Sequence, residues 1–181
     1  METYKFKFTE LQNDIFRLMC IKTGKSLNLR TTANLLKVSP TAVGKAVRGL
    51  IAKGLLKVER SKTMNLVLIQ LNRDNPKAMK LKRVENLRKI YELNFDGFLE
   101  ENFPGSTIVL FGSFSRGDDT TSSDIDIAII NSKEKAINLD GFEREFERKI
   151  YLHFYRSLKG LNEEFKENIC NGILLAGGVE L

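Results

Sequence analysis

Twenty residues constrain this chain more than any others: Phe111-Gly-Ser-Phe-Ser-Arg-Gly-Asp-Asp-Thr-Thr-Ser-Ser-Asp-Ile-Asp-Ile-Ala-Ile-Ile130. The apolar run Thr107 to Phe111 before it has the length and composition of a buried strand. Gly112 and Ser113 then turn the chain. A glycine leaves room for a phosphate to approach the backbone amides, and Ser113 adds a hydroxyl donor. Arg116 and Gly117 continue the loop, and Ser123-Asp124-Ile125-Asp126 opens a second strand running apolar to Ile130. Residues two apart on a strand share a face, so Asp124 and Asp126 point one way while Ile125 and Ile127 point into a core. Two such carboxylates repel each other unless a divalent cation lies between them.

A lone Asp-X-Asp or Gly-Ser is common on surfaces. The combined string, flanked by strands, is far more specific. It resembles the signature of the DNA polymerase β-type nucleotidyltransferase superfamily, and within it the small minimal nucleotidyltransferases. The resemblance covers about residues 94 to 181. It implies a short α/β (α+β) fold on a mixed sheet, a nucleoside triphosphate such as ATP, and Mg²⁺. By it, Asp124 and Asp126 are the catalytic metal ligands. Gly112, Ser113, Arg116, Gly117 and Ser123 are the residues toward the nucleotide and its phosphates.

Enzymes of that superfamily normally take a third carboxylate from a neighbouring strand. Here that strand reads as Ile150 to Tyr155, which contains no acid. Tyr151 and His153 would face the site, or Leu152 and Phe154 if the phase differs by one. His153 is the one histidine of the chain. It is either a base or metal ligand, or a packed residue of the strand. The spare acids Asp118, Asp119 and Asp140 read as solvated loop residues and a helix cap.

Charge divides the chain. Residues 1–93 carry 20 Lys+Arg against 7 Asp+Glu, whereas residues 94–181 carry 9 against 16. A basic half joined to an acidic half implies two domains with different partners, the basic one favouring a polyanion such as nucleic acid. In that half, Thr9 reads as the cap of a first helix, Leu29 to Lys37 as a second, and Ser39-Pro40 as the start of a third ending before Gly54. Ala33, Leu36, Val38, Val43 and Ala46 are spaced as in a helix-turn-helix, with Val38 and Val43 filling the angle between its helices. Leu55–Val58 and Asn65–Leu71 read as a hairpin. The pattern resembles a winged helix-turn-helix domain. Double-stranded DNA is then the expected partner, with Thr41, Lys45 and Arg48 toward the major groove and Arg60 and Lys62 at phosphates. The competing reading is a basic domain that contacts only protein.

The expected domains are therefore 1–72, a helical linker 73–93 opened by Pro76, and 94–181. In the linker, Leu81, Val84, Leu87, Ile90 and Tyr91 form an apolar stripe. It docks on one of the domains or pairs with a second copy as a homodimer. Lys80, Lys82, Arg83, Arg88 and Lys89 read as its solvated faces. No apolar run is long enough to cross a membrane, and Met1 to Lys7 is charged and broken up, unlike a signal peptide. Cys20 and Cys170 are isolated, which suits reduced thiols in the cytoplasm.

Two functions follow. One is a DNA-binding enzyme that transfers a nucleoside monophosphate from a nucleoside triphosphate, with Mg²⁺, to an acceptor the sequence does not name. The other is a transcriptional regulator whose enzyme domain has become a nucleotide sensor or assembly module.

Overall fold

The computed structural model describes residues 8–60, 67–159 and 161–178. The chain forms two compact units, Met1–Met79 and Lys80–Leu181.

The first unit opens with α1 (Glu10–Ile21), held by a capping box in which Thr9 and Gln12 exchange side-chain-to-backbone hydrogen bonds. A two-residue strand, β1 (Leu27–Asn28), leads into α2 (Leu29–Leu36), capped by Asn28. Lys37, at φ 55°, turns the chain into α3 (Pro40–Ala52), capped by Ser39. The hairpin β2 (Leu56–Arg60) and β3 (Val67–Leu71) follows, and β3 also pairs with β1. This is the winged helix-turn-helix order. Ile15, Phe16, Met19, Ala33, Val43, Val47, Leu50, Leu56, Ile69 and Leu71 are buried. Val43, expected to fill the angle between α2 and α3, is fully buried. Val38, the other residue expected there, is instead 36% exposed, because the turn at Lys37 carries it outward.

Pro76–Glu92 forms one continuous helix, α4, and the division between the units falls inside it. Residues 80–92, read from sequence as linker, therefore pack within the second unit. The buried positions of α4 recur every four residues, at Ala78, Lys82, Asn86 and Ile90, whereas Val84 and Tyr91 are exposed. The face that packs thus shares Ile90 with the expected apolar stripe, with Leu81 and Leu87 half-buried beside it, but leaves out Val84 and Tyr91, and Lys82 is not solvated.

The second unit is built on a four-stranded sheet in the order β6-β5-β4-β7. Its strands are β4 (Thr107–Phe111), β5 (Ile125–Ile130), β6 (Ile150–Tyr155) and β7 (Ile173–Ala176). β4 is antiparallel to β5 and β7, and β5 is parallel to β6, so the sheet is mixed. Its helices are α5 (Phe95–Asn102), the single turn α6 (Gly112–Arg116), α7 (Asp140–Phe146) and α8 (Glu163–Cys170). Asp140 is the first residue of α7; Leu139 holds the cap position without a side-chain bond. Ile108, Leu110, Ile125, Ile127, Ile129 and Ile150 face one core with Phe95 and Leu99 of α5 and Phe146 of α7. Val109, Phe111, Ala128 and Ile130 face a second with Leu158 and Ile169. Each fully buried Ile or Leu contributes about 1.5–3 kcal/mol. Both faces of β5 are covered, which is why it reads as continuous apolar sequence once past Asp126.

Among the described residues, no helix is long and apolar enough to cross a membrane. Cys20 is buried and Cys170 exposed, and neither is in a disulfide.

Candidate functional site

β4 and β5 bring the motif together. Phe111, the last residue of β4, pairs with Asp126, and Asp126 pairs on its other side with Tyr151 of β6. Gly112 follows at φ 73°, in the left-handed region that favours glycine. A Cβ there would come within 2.7 Å of Asp126 Oδ2. Glycine is thus favoured by the backbone conformation, and any side chain there would also displace the Asp126 carboxylate lying against it. Gly117, at φ 85°, ends α6.

Asp126 is half-buried and Asp124 exposed, with Ile125 and Ile127 in the core between and beyond them. Side-chain alternation puts both carboxylates on the face of the sheet that carries Phe111, Tyr151 and His153. His153 Nε2 lies 3.0 Å from Asp126 Oδ1, and its ring meets the Phe111 ring edge-on with centroids 5.3 Å apart. Leu152 and Phe154 pack into the opposite core. Tyr151 is 51% exposed. Tyr155, next on the site's face, has its hydroxyl pKa raised by burial and, secondarily, by the charge of Asp126.

The remaining motif residues divide. Ser113 is half-buried in the first turn of α6. Arg116 is drawn aside by Asp118 (2.8 Å) and by Asn168 of α8 (3.2 Å). Ser123 Oγ accepts from the Thr120 amide at 2.9 Å, closing the loop just before Asp124. A cleft of about 540 Å³ lies beside that loop, lined by Ser122, Ser123 and Asp124 together with Arg144, Arg148 and Lys149. At its rim Lys149 Nζ donates to Glu143 Oε2 (2.6 Å) and the Ile150 amide donates to Oε1 (3.1 Å). These bonds hold the Glu143 carboxyl below the usual carboxylate range.

Behind the loop lies a polar cluster that sequence reasoning missed. Asp119 is buried and receives Lys82 Nζ and, at 2.7 Å, Asn86 Nδ2; Arg148 Nη2 lies 3.5 Å from its other oxygen. Asn86 also donates to the Phe114 carbonyl at 2.9 Å. Through these bonds α4 grips both α6 and the chain leading to Asp124. The one sequence signal was the four-residue spacing that puts Lys82 and Asn86 between Ala78 and Ile90.

Two carboxylates of this kind suit one hard divalent ion that keeps triphosphate oxygens and water as its other ligands. They do not suit two ions. Among the described residues, no group of three or more His, Cys, Asp and Glu side chains is gathered to hold a metal. The neighbouring strand supplies an imidazole where a carboxylate was looked for.

In the first unit Thr41, Lys45 and Arg48 are all exposed on one side of α3, at helical spacing. Between α3 and the hairpin runs a cleft whose apolar wall includes Leu29, Ile51, Val58 and Val67. Arg60 ends β2. Lys62 lies outside the described residues.

The family model described as nucleotidyltransferase domain matches residues 94–171. No curated protein matches the sequence. Among solved structures, the adhesin competence repressor AdcR of Streptococcus pyogenes is 21% identical, covering 54% of this chain and 69% of its own, with a TM-score of 0.43. ZitR of Lactococcus lactis, a zinc-responsive MarR family member, is 25% identical, covering 57% of this chain and 69% of its own, with a TM-score of 0.42. The transcriptional regulator BldR of Sulfolobus solfataricus is 20% identical, covering 53% of this chain and 64% of its own, with a TM-score of 0.39.

Proposed function

We propose that this chain is a DNA-binding protein whose second unit binds a nucleoside triphosphate and transfers its nucleoside monophosphate to an acceptor hydroxyl. The observation that carries the reading is the contact of Gly112 with Asp126. A carboxylate suited to a cation lies against the backbone of the glycine that opens the turn, in the domain that matches the nucleotidyltransferase model. Asp124 and Asp126 are the residues that would hold Mg²⁺, which when bound neutralises triphosphate charge. Gly112 and Ser113 would bind phosphate oxygens. In the reaction the acceptor hydroxyl gives up its proton to water, its oxygen bonds to the α-phosphorus, the bond to the β-phosphate breaks, and pyrophosphate leaves with the electron pair.

A second reading draws on one observation. His153 stands against Asp126 in place of a third acid, so the site has less negative charge with which to hold a second ion near the attacking oxygen. Slow transfer, with nucleotide binding retained, would make the domain a sensor attached to a DNA-reading unit. DNA binding itself is supported by the basic balance of residues 1–93 and by exposed Thr41, Lys45 and Arg48 on one helix side. Exposed Val84 and Tyr91 on α4 offer apolar surface for pairing with a second copy, as paired half-sites require.

The test is incubation of the full chain with α-labelled nucleoside triphosphates, Mg²⁺, duplex DNA and cell extract. Label transfer that disappears in Asp124→Asn/Asp126→Asn supports the enzyme. Nucleotide binding that depends on the same pair without transfer supports the sensor.

A further inference from the structure

The sheet sets three chemistries side by side. β5 lies between β4 and β6, with neighbouring strands about 4.8 Å apart. On one flank β4 runs into Gly112 and Ser113, the residues read as facing phosphate. In the middle Asp126 pairs with Phe111, the last residue of β4. On the other flank Asp126 pairs in parallel register with Tyr151, so their side chains leave the same face of the sheet. Tyr151 is 51% exposed. Its hydroxyl ends a side chain longer than the spacing between strands, so a turn about its side-chain bonds carries it over Asp126 with no change in backbone. Other hydroxyls of the motif are engaged elsewhere. Thr120, Ser122 and Ser123 bond within their own loop, and Ser115 is buried on the Gly112 carbonyl. Tyr155 lies four residues further along β6 and is half-buried.

Displacement at phosphorus is in line, with the attacking oxygen entering opposite the leaving one. With pyrophosphate toward Gly112 and Ser113 on the β4 side, the attacking oxygen enters from the β6 side, where Tyr151 presents a phenol. A phenol gives up its proton more readily than the hydroxyl of a serine or threonine. We propose that the acceptor is the chain's own Tyr151, which takes a nucleoside monophosphate from the nucleotide bound in the same chain. The Tyr151 hydroxyl gives its proton to water, its oxygen bonds to the α-phosphorus, the bond to the β-phosphate breaks, and pyrophosphate leaves with the electron pair. A phosphodiester then joins the nucleoside to the ring. The inference rests on the nucleotide-transfer reading and names its acceptor. Slow chemistry suffices, because an acceptor held beside the site meets the nucleotide at high effective concentration. The product stays over Asp126, so the reaction stops after one event per chain.

The experiment incubates the full chain, without extract, with each α-labelled nucleoside triphosphate and Mg²⁺, and maps the label by tandem mass spectrometry. A single nucleoside monophosphate per chain should accumulate on Tyr151, with a rate constant independent of chain concentration. Asp124→Asn/Asp126→Asn should remove the label. Tyr151→Phe should remove it too, while its Mg²⁺–nucleotide affinity by calorimetry stays within about threefold of the wild type. Because Tyr151 is exposed, Tyr151→Phe should melt within a few degrees of the wild type, which thermal unfolding checks. A mixture of the Tyr151→Phe chain with the double aspartate variant should label neither. Label retained by Tyr151→Phe, label on the double variant in that mixture, or a wild-type chain that binds Mg²⁺–nucleotide and stays unlabelled overturns the inference. In that last case, transfer to a component of cell extract that depends on Asp124 and Asp126 leaves the nucleotide-transfer reading standing. Absence of any nucleotide binding by the wild type overturns both.

Discussion

Lys82 of α4 and Asp119 in the loop after α6 form an ion pair sealed from water, with 0% and 1% of their side chains exposed. Next to it, Arg116 and Asp118 form a pair that is about half exposed. The two neighbouring aspartates should therefore behave oppositely. Asp119→Ala strips the carboxylate from two buried cations and should cost about 3–5 kcal/mol, whereas Asp118→Ala should change stability by at most about 1 kcal/mol. Denaturant unfolding of the two variants measures both.

That contrast shows where sequence was readable and where it was not. Caps, strand β6 and the sheet face shared by Asp124 and Asp126 depend on local chemistry or simple periodicity, and these were legible. Thr9 and Ser39 each sit one step before a helix and accept a backbone hydrogen bond there, as their sequence positions imply, whereas Asp140, read as a cap, is the first residue of α7. Asp119 and Lys82 are 37 residues apart, and nothing local separates Asp119 from Asp118. A buried charge is visible only with its partner, so the sequence suggested solvent for both. The bond between His153 and Asp126 was half legible: strand phase could aim the ring at the site, but only the parallel register of β5 and β6 brings the two together.

Gly112→Ala should damage stability and binding together. The new methyl group would sit at φ 73° and 2.7 Å from Asp126 Oδ2. Backbone strain of this kind costs about 1–3 kcal/mol, and the carboxylate must also move. The expected outcome is a lower melting temperature with nucleotide–metal binding weakened at least about tenfold, since each 1.4 kcal/mol is a factor of ten. Gly105, also at positive φ, has no atom within 4 Å of the added carbon. Gly105→Ala should therefore lower stability through strain alone and leave binding intact.

Glu143 supplies a pH-dependent element at the rim of the cleft. Its carboxyl is held below the ordinary value by Lys149 first and the Ile150 amide second. A lowered folded-state pKa contributes stability that is present above the ordinary value of 4.5 and is lost as pH falls through the folded value. Glu143→Gln should thus melt below the wild type at pH 7, and the difference should shrink as pH is taken below that ordinary value. Melting curves across this range test the sign.

The exposed basic residues of α3 and the basic residues Arg60 and Lys62 should contribute to DNA binding in different ways. Lys45→Ala/Arg48→Ala in the full chain should reduce discrimination between duplex sequences, because base edges are read from the groove-facing side of α3. Arg60→Ala/Lys62→Ala should weaken all duplexes more evenly and flatten the dependence on salt. Retardation assays at two or more salt concentrations separate the effects. Absence of any salt-dependent retardation by the wild type would favour a domain that contacts protein.

The imidazole beside Asp126 should limit chemistry more than binding. Two carboxylates can hold one ion on the triphosphate, but the ion that would act on the attacking oxygen lacks its third acid ligand. Loss of an interaction made mainly in the transition state lowers turnover without weakening the bound nucleotide. Wild-type protein should therefore bind nucleotide and transfer it slowly. His153→Asp restores an acid on β6 at the position facing Asp126, and should raise transfer by about tenfold or more while nucleotide affinity with Mg²⁺ changes by no more than about threefold. Single-turnover transfer of an α-labelled nucleotide, set beside calorimetry on the same samples, distinguishes the two quantities. Brisk Mg²⁺-dependent transfer by the wild type, indifferent to substitutions at Tyr151 and His153, would show that a group elsewhere supplies the missing function and that β6 has no part in it.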